Sequence, residues 1–204
     1  MPYELTTLTG PVLGAGALSE RARAWMAQDR AEGECLGIWR SDIGVPGRLF
    51  VLREFEDAAA LARERMRALM SDDPFNCRDI ATDLSMESHE GFAFLPAVRR
   101  GSYGGVFEFR TYQLKIGGLP PTLAGWEAAI EPARTYTDHL VTNMFALDGP
   151  PRITHIWGFS SVEERLALRA DHFGRGLWPP ENGPDNIRHA TSVIAMAEEG
   201  WPIS

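Results

Sequence analysis

The chain has 204 residues, 44% hydrophobic and 24% charged, with a formal net charge of −8. That length suits one large domain or two small ones sharing a core. The acidic balance, with no Lys/Arg cluster interleaved with aromatics, argues against nucleic acid, and no apolar run approaches the roughly 20 residues that span a bilayer.

In chain order, residues 3–8, "YELTTL", alternate as a half-buried strand should. A glycine-rich loop follows, then a helix whose apolar stripe runs Leu18, Ala22, Trp25. "ECLGIW" at 34–39, "SDIGVPG" and "RLFVLREF" at 48–55 predict strand, turn and strand. A second helix is expected over 57–70, with Arg63, Arg65 and Arg67 on a solvated face. Residues 71–88 predict a long loop, and 89–96 a closing strand. Residues 97–105, "AVRRGSYGG", have the small and glycine-rich composition of a linker.

The second half repeats this order. "FEFRTYQL" at 107–114 matches the first strand, Tyr3 to Phe107 being an offset of 104 residues. A helix opens at Pro120 and Pro121 with the stripe Leu119, Leu123, Trp126, Ile130. Residues 139–146 and 152–159 predict a hairpin about "LDGPP". The helix over 161–173 opens with Ser161 and Glu164, the spacing of a capping box. A long loop at 174–187 and a strand at 188–197 close the half. Arg48 with Arg152 and Phe55 with Phe159 return the same offset of 104. Each half therefore predicts β-α-β-β-α-β, the ferredoxin-like unit. The fold expected is α+β: two tandem repeats, a degenerate one over 1–100 and a second over 106–204. Each sheet has one face without helices, so packing them sheet to sheet as an α/β barrel buries both.

The alternation of the second half sorts its polar residues by face. Glu108, Arg110 and Tyr112 share one face of their strand, opposite Phe107, Phe109 and Thr111. His155 and Trp157 share a face with Ile153 and Phe159. Aromatics under the helices would turn the charged face into the barrel. His155 is then a candidate general base, Arg110 a holder of an anionic group or oxyanion, and Tyr112 a third catalytic candidate. Glu108, Trp157 and Asn143 are candidate ligand contacts, with His139 and His189 as further neighbours. An ion pair that only plugs the barrel is the competing reading. No motif calls for a cofactor or a metal, and the two cysteines, Cys35 and Cys77, are expected as buried hydrophobes.

The runs "FEFRTYQLKIGGLPPTLAGWE", "RITHIWGFSSVEERLALRADHF" and "LWPPENG" resemble the NIPSNAP family of the dimeric α/β-barrel superfamily. The resemblance covers the second half from about Val106; the first half matches in outline. It carries Thr6 and Leu8 at the level of Arg110 and Tyr112, and Val51 and Arg53 at that of His155 and Trp157. The resemblance implies a ferredoxin-like fold and barrel formation. Superfamily relatives include cofactor-free monooxygenases and haem-handling enzymes; His155, His139 and His172 are histidines of the type that could ligate haem. Two functions follow as expectations. One is an enzyme holding a small organic, aromatic or anionic molecule in the barrel, for cofactor-independent oxygenation or isomerisation. The other is a non-catalytic ligand-binding or protein-interaction scaffold. The N-terminus "MPYELTTLTG" has no basic stretch before an apolar core, so a cytoplasmic location is expected. Exposed sheet edges would invite pairing, which makes a homo-oligomer a further expectation.

Overall fold

The computed structural model describes residues 1–181 and 183–204. Eight strands close into one barrel, and all neighbours are antiparallel. The first half runs β1 (Pro2–Thr9), α1 (Ala15–Met26), β2 (Glu34–Ile43), β3 (Arg48–Glu54), α2 (Ala58–Leu69) and β4 (Asp83–Gly91). The second runs β5 (Val106–Leu114), α3 (Leu119–Ile130), a short α4 (Arg134–Thr137), β6 (Leu140–Ala146), β7 (Arg152–Phe159), α5 (Val162–Gly174), a short α6 (Gly183–Asn186) and β8 (Ile187–Ala197). The order round the barrel is β1-β3-β2-β8-β5-β7-β6-β4. Each half contributes four neighbouring strands, and the seams are β2–β8 and β4–β6. The expected strand at 89–96 starts earlier, because β1 pairs with β4 from Thr9↔Asp83 to Pro2↔Glu90. With the barrel closed, no strand among the described residues keeps the open edge that gave the reason to expect pairing between chains.

Matching caps hold the second helix of each half. Asp57 accepts from the Ala60 N–H at 2.7 Å, and Ser161 from the Glu164 N–H at 3.1 Å. Each satisfies one orphan donor of a helix start. Pro120 and Pro121 stand at the opening of α3, as their missing N–H groups allow.

The barrel interior is mostly apolar, with His89 and Arg152 among the buried polar residues of its inner face near one end. Tyr3, Leu5, Leu36, Trp39, Phe50, Leu52, Phe107, Phe109, Met144 and Ile156 meet there. Phe109 stacks on Phe50 at 4.5 Å and meets Trp39 edge-on at 5.3 Å, so aromatics of both halves interlock. An eight-stranded barrel is just wide enough for side chains to fill. This reverses the expected faces: Phe107 and Phe109 point inward, while Glu108, Arg110, Tyr112, His155 and Trp157 point out beneath the helices. Gly158 also belongs inside and not against the helix layer. A Cβ there would lie 2.4 Å from the Tyr103 Cβ, so its bare backbone makes room for a linker tyrosine packed against the core.

Two further apolar clusters lie between barrel and helices. Leu18, Ala22 and Trp25 of α1 cover Ile38, Leu49 and Val51 in the first half. Trp126 and Tyr136 cover Ile153, Trp157 and Phe159 in the second. Both cysteines are buried there or nearby, and burial pushes their thiols up, Cys35 to about 12 and Cys77 to about 11. Among the described residues no helix is long and apolar enough to cross a membrane.

Candidate functional site

One register row crosses the sheet of the second half. Asn143 pairs with His155, His155 with Arg110, and Arg110 with Ser192. Directly paired residues share a face, so this polar row lies under the helices. The matching row of the first half is Ile38, Val51, Thr6 and Met86. The first sheet therefore supplies mostly apolar groups where the second supplies donors and acceptors.

Glu108 anchors the layer. Its carboxylate accepts from Arg110 at 2.5 Å, from Arg165 at 2.8 and 2.5 Å, and from Ser192 at 2.6 Å. Burial pushes this carboxyl up, but the hydrogen bonds from Arg165 and Arg110 outweigh it and hold it well below the usual carboxylate range. Arg110 also donates to the Tyr136 hydroxyl at 3.3 Å, and its guanidinium lies 5.6 Å from the Trp157 ring centre. Glu108 is thus spent on its ion cluster.

The first half keeps an ion cluster at the same level. Arg53 joins Glu4 and Glu64, each at 2.5 Å, and Arg67 clamps Glu64 from α2. The expected solvated arginine face of α2 is therefore corrected. Arg63 stays exposed, whereas Arg65 and Arg67 fold under to reach Glu4 and Glu64, because buried carboxylates need cations close by.

Next to the Glu108 cluster is a cavity of about 140 Å³. Its floor is Arg110, Tyr112, Ile153 and His155; its walls include Trp126 of α3, Arg169 and Phe173 of α5, and Trp178, Pro179 and Pro180. The volume is that of one ring, since an engineered cavity of about 150 Å³ accepts benzene. Trp178 meets Trp126 edge-on at 4.9 Å, and Tyr112 and Trp126 flank the His155 ring at 4.8 and 5.0 Å. Trp126, Trp178 and Arg169 were not expected here. The first was read as a core stripe, and the others belong to a loop and a helix whose placement over the sheet only the fold supplies.

His155 is 1% exposed. Its Nδ1 accepts from the Trp157 indole N–H at 2.6 Å, so the neutral ring carries its proton on Nε2. Burial, reinforced by Arg110, lowers its pKa well below the ordinary value and keeps the ring neutral. Nε2 is buried and has no partner, and both polar atoms of the Asn143 side chain are in the same condition. With Nδ1 occupied by the Trp157 N–H, the ring presents a hydrogen-bond donor at Nε2 in this state. Burial likewise raises the Tyr112 pKa and keeps its hydroxyl protonated.

The remaining four histidines stand elsewhere, His89 being buried on β4 opposite Tyr3. His139 bonds the Gly158 carbonyl and stacks on Phe159; His172 has both ring nitrogens engaged, by Thr135 and Leu168; His189 is exposed. Among the described residues His89 and His155 each keep a buried ring nitrogen without a partner, and a haem does not fit the hollow that His155 lines, which is several times smaller than the macrocycle. Among the described residues, no three His, Cys, Asp or Glu side chains gather as a metal site.

An eight-stranded α/β barrel with a ligand-sized hollow between sheet and helices defines the class. The NIPSNAP family model matches residues 107–196, a span that contains the whole polar row. A NIPSNAP family protein of unknown function from Agrobacterium tumefaciens str. C58 is 31% identical over 50% of this chain and 97% of that one, with a TM-score of 0.42. The chain belongs to the NIPSNAP family. Across nearly the whole chain the fold is shared with a candidate monooxygenase from Lactobacillus acidophilus NCFM (11% identity, 96% of this chain and 93% of that one, TM-score 0.66). It is also shared with an anthrone oxidase-like protein (10% identity, 97% and 91%, TM-score 0.66). No curated protein matches the chain. Of the family-like run at 177–183, Asn182 lies outside the described residues.

Proposed function

We propose that this protein binds a small aromatic molecule bearing an oxygen acceptor, in the hollow beneath α3 and α5 and not inside the barrel. The observation that carries this reading is the buried, unpartnered Nε2–H of His155 at the floor of an aromatic cavity. An unsatisfied buried donor costs about 1–3 kcal/mol, which a ligand oxygen would recover. Convergent polar groups in an aromatic pocket are the usual form of a small-molecule site.

The chemistry open to such a complex follows from the groups present. His155 donates to the oxygen, and the nearby Arg110 cation favours its ionised form. A phenolate or enolate held this way is electron-rich at its ring carbons. Cofactor-independent oxygenation and isomerisation both start from such an anion, and the names of the two whole-chain fold neighbours accord with the first. Among the described residues no carboxylate lines the hollow, so the proton of the ring hydroxyl would leave to solvent. Non-catalytic binding uses the same contacts.

Trp126 and Trp178 in the wall supply the assay. Phenol titrated against tryptophan fluorescence should bind more tightly than benzene. His155→Asn keeps an acceptor for the Trp157 N–H and loses the deep donor, so it should weaken phenol by about tenfold or more. Equal affinity for phenol and benzene, or an unchanged affinity in the variant, would refute the reading. Oxygen uptake by the phenol complex separates catalysis from simple binding.

A further inference from the structure

Arg169 stands in the cavity wall on α5, half-buried, its guanidinium 5.1 Å from the Phe173 ring centre. Among the described residues no carboxylate pairs with it. Its neighbours on the same layer differ, since Arg110 and Arg165 are both committed to Glu108. The counterpart one offset earlier, Arg65, is committed as well: it reaches Glu4, Asp148 and the Met86 carbonyl. The second half therefore keeps a cation free where the first half ties one up.

The charge around the hollow leads to the same place. Its lining contains two arginines and no acid. Glu108 neutralises one of them, leaving Arg169 uncompensated in a protein of net charge −8. Such a pocket draws anions out of an otherwise repelling field. His155 is fully covered at the floor, whereas Arg169 is partly exposed. The two donors thus address different depths of one ring-sized space.

We infer that the ligand is a single-ring aromatic carboxylate with a second oxygen, its carboxylate held by Arg169 and its hydroxyl or oxo oxygen held by His155. A guanidinium suits this task because its planar fork meets both carboxylate oxygens. Arg169 is then the residue that selects acids over neutral phenols. The assignment rests on the hollow being the binding site, as proposed above.

The experiment uses the full chain and three probes: 4-hydroxybenzoate, phenol and 4-hydroxybenzyl alcohol. The unmodified protein should bind 4-hydroxybenzoate about 10- to 100-fold more tightly than the other two, the range expected of a hydrogen bond to a charged group. Arg169→Met should erase that preference, and Arg169→Lys should restore part of it. Phenol binding with no gain from the carboxylate overturns this inference alone. A preference that survives Arg169→Met overturns it too. Failure of all three probes to bind removes both this inference and the site it depends on.

Discussion

Glu108→Gln is the sharpest test of the layer on which the candidate site stands. The carboxylate accepts from two arginines and a serine, and its side chain is 1% exposed; Arg110 is 3% and Arg165 17% exposed. Gln keeps the shape but removes the charge, and its amide N–H groups would confront arginine donors. Removing one partner of a buried ion cluster costs about 3–5 kcal/mol. In a chain of this size that corresponds to about 6–20 °C in Tm. Thermal and urea unfolding should both show the loss, with Glu131→Gln in the exposed Glu131–Arg134 pair as an unchanged control. The pH course follows from the depressed folded pKa. Its stabilisation is present above the unfolded value of about 4.3 and is lost only as pH falls through the folded value. The gap between the two proteins should therefore persist from neutral pH down to about 4.3 and shrink below it. A Tm difference under about 2 °C at neutral pH would mean that the arginines are satisfied without Glu108.

Two other outcomes are expected elsewhere in the molecule. Burial, with the Arg152 charge acting in the same direction, pushes the His89 pKa down to about 4 against the hydrogen bond that its Nδ1 donates to the Glu87 carbonyl. The unfolded chain takes that proton near 6.5 and the folded one does not, so acidification from pH 6.5 to 4 should cost up to about 3 kcal/mol at this residue. His89→Gln should flatten the profile measured by urea unfolding across that window, and parallel profiles would count against the assignment. Phe75→Ala should cost about 3–5 kcal/mol through the void left beside Trp25, read as a lower denaturation midpoint; a loss under about 1 kcal/mol would show that the surrounding segment collapses to fill it.

The order of strands and helices, the helix stripes and the hairpins could be read from residues alone, because periodicity and caps are local properties. Which residues share a face was equally legible, and Arg110 and His155 do lie side by side. Which face looks inward was not. In a closed barrel with a helix layer both faces are covered, and all eight residues of β7 are buried. One signal was available. Arg165 and Arg169 are four apart on α5, so they share a helix side, and an arginine facing a sheet asks for a carboxylate on that surface. Glu108 meets it. The cavity walls lay further out of reach, since Trp178 and Arg169 approach Trp126 and His155 only after the chain has turned back over β5 and β7.

Phe75 fills part of the layer between sheet and helices in the first half. It is fully buried, with a backbone φ of 55° that a side chain rarely adopts, and it stacks on Trp25, the counterpart of Trp126. Its segment corresponds to the one carrying Trp178, and Arg53 lies over its other side at 5.4 Å from the ring centre. Both segments thus set a ring against the helix tryptophan, Phe75 stacked in the first half and Trp178 edge-on in the second.

The two seams have a consequence of a different kind. Across β4–β6 the register runs through His89↔Ala146, Glu90↔Phe145 and Gly91↔Met144, and across β2–β8 it is interrupted by a bulge. Short, irregular ladders are where a cylinder would part first. The hollow sits over β5 and β7, the two central staves of the second half, away from either joint. Breathing of the cylinder would thus wet its oily middle while leaving the donor row beneath the helices in place.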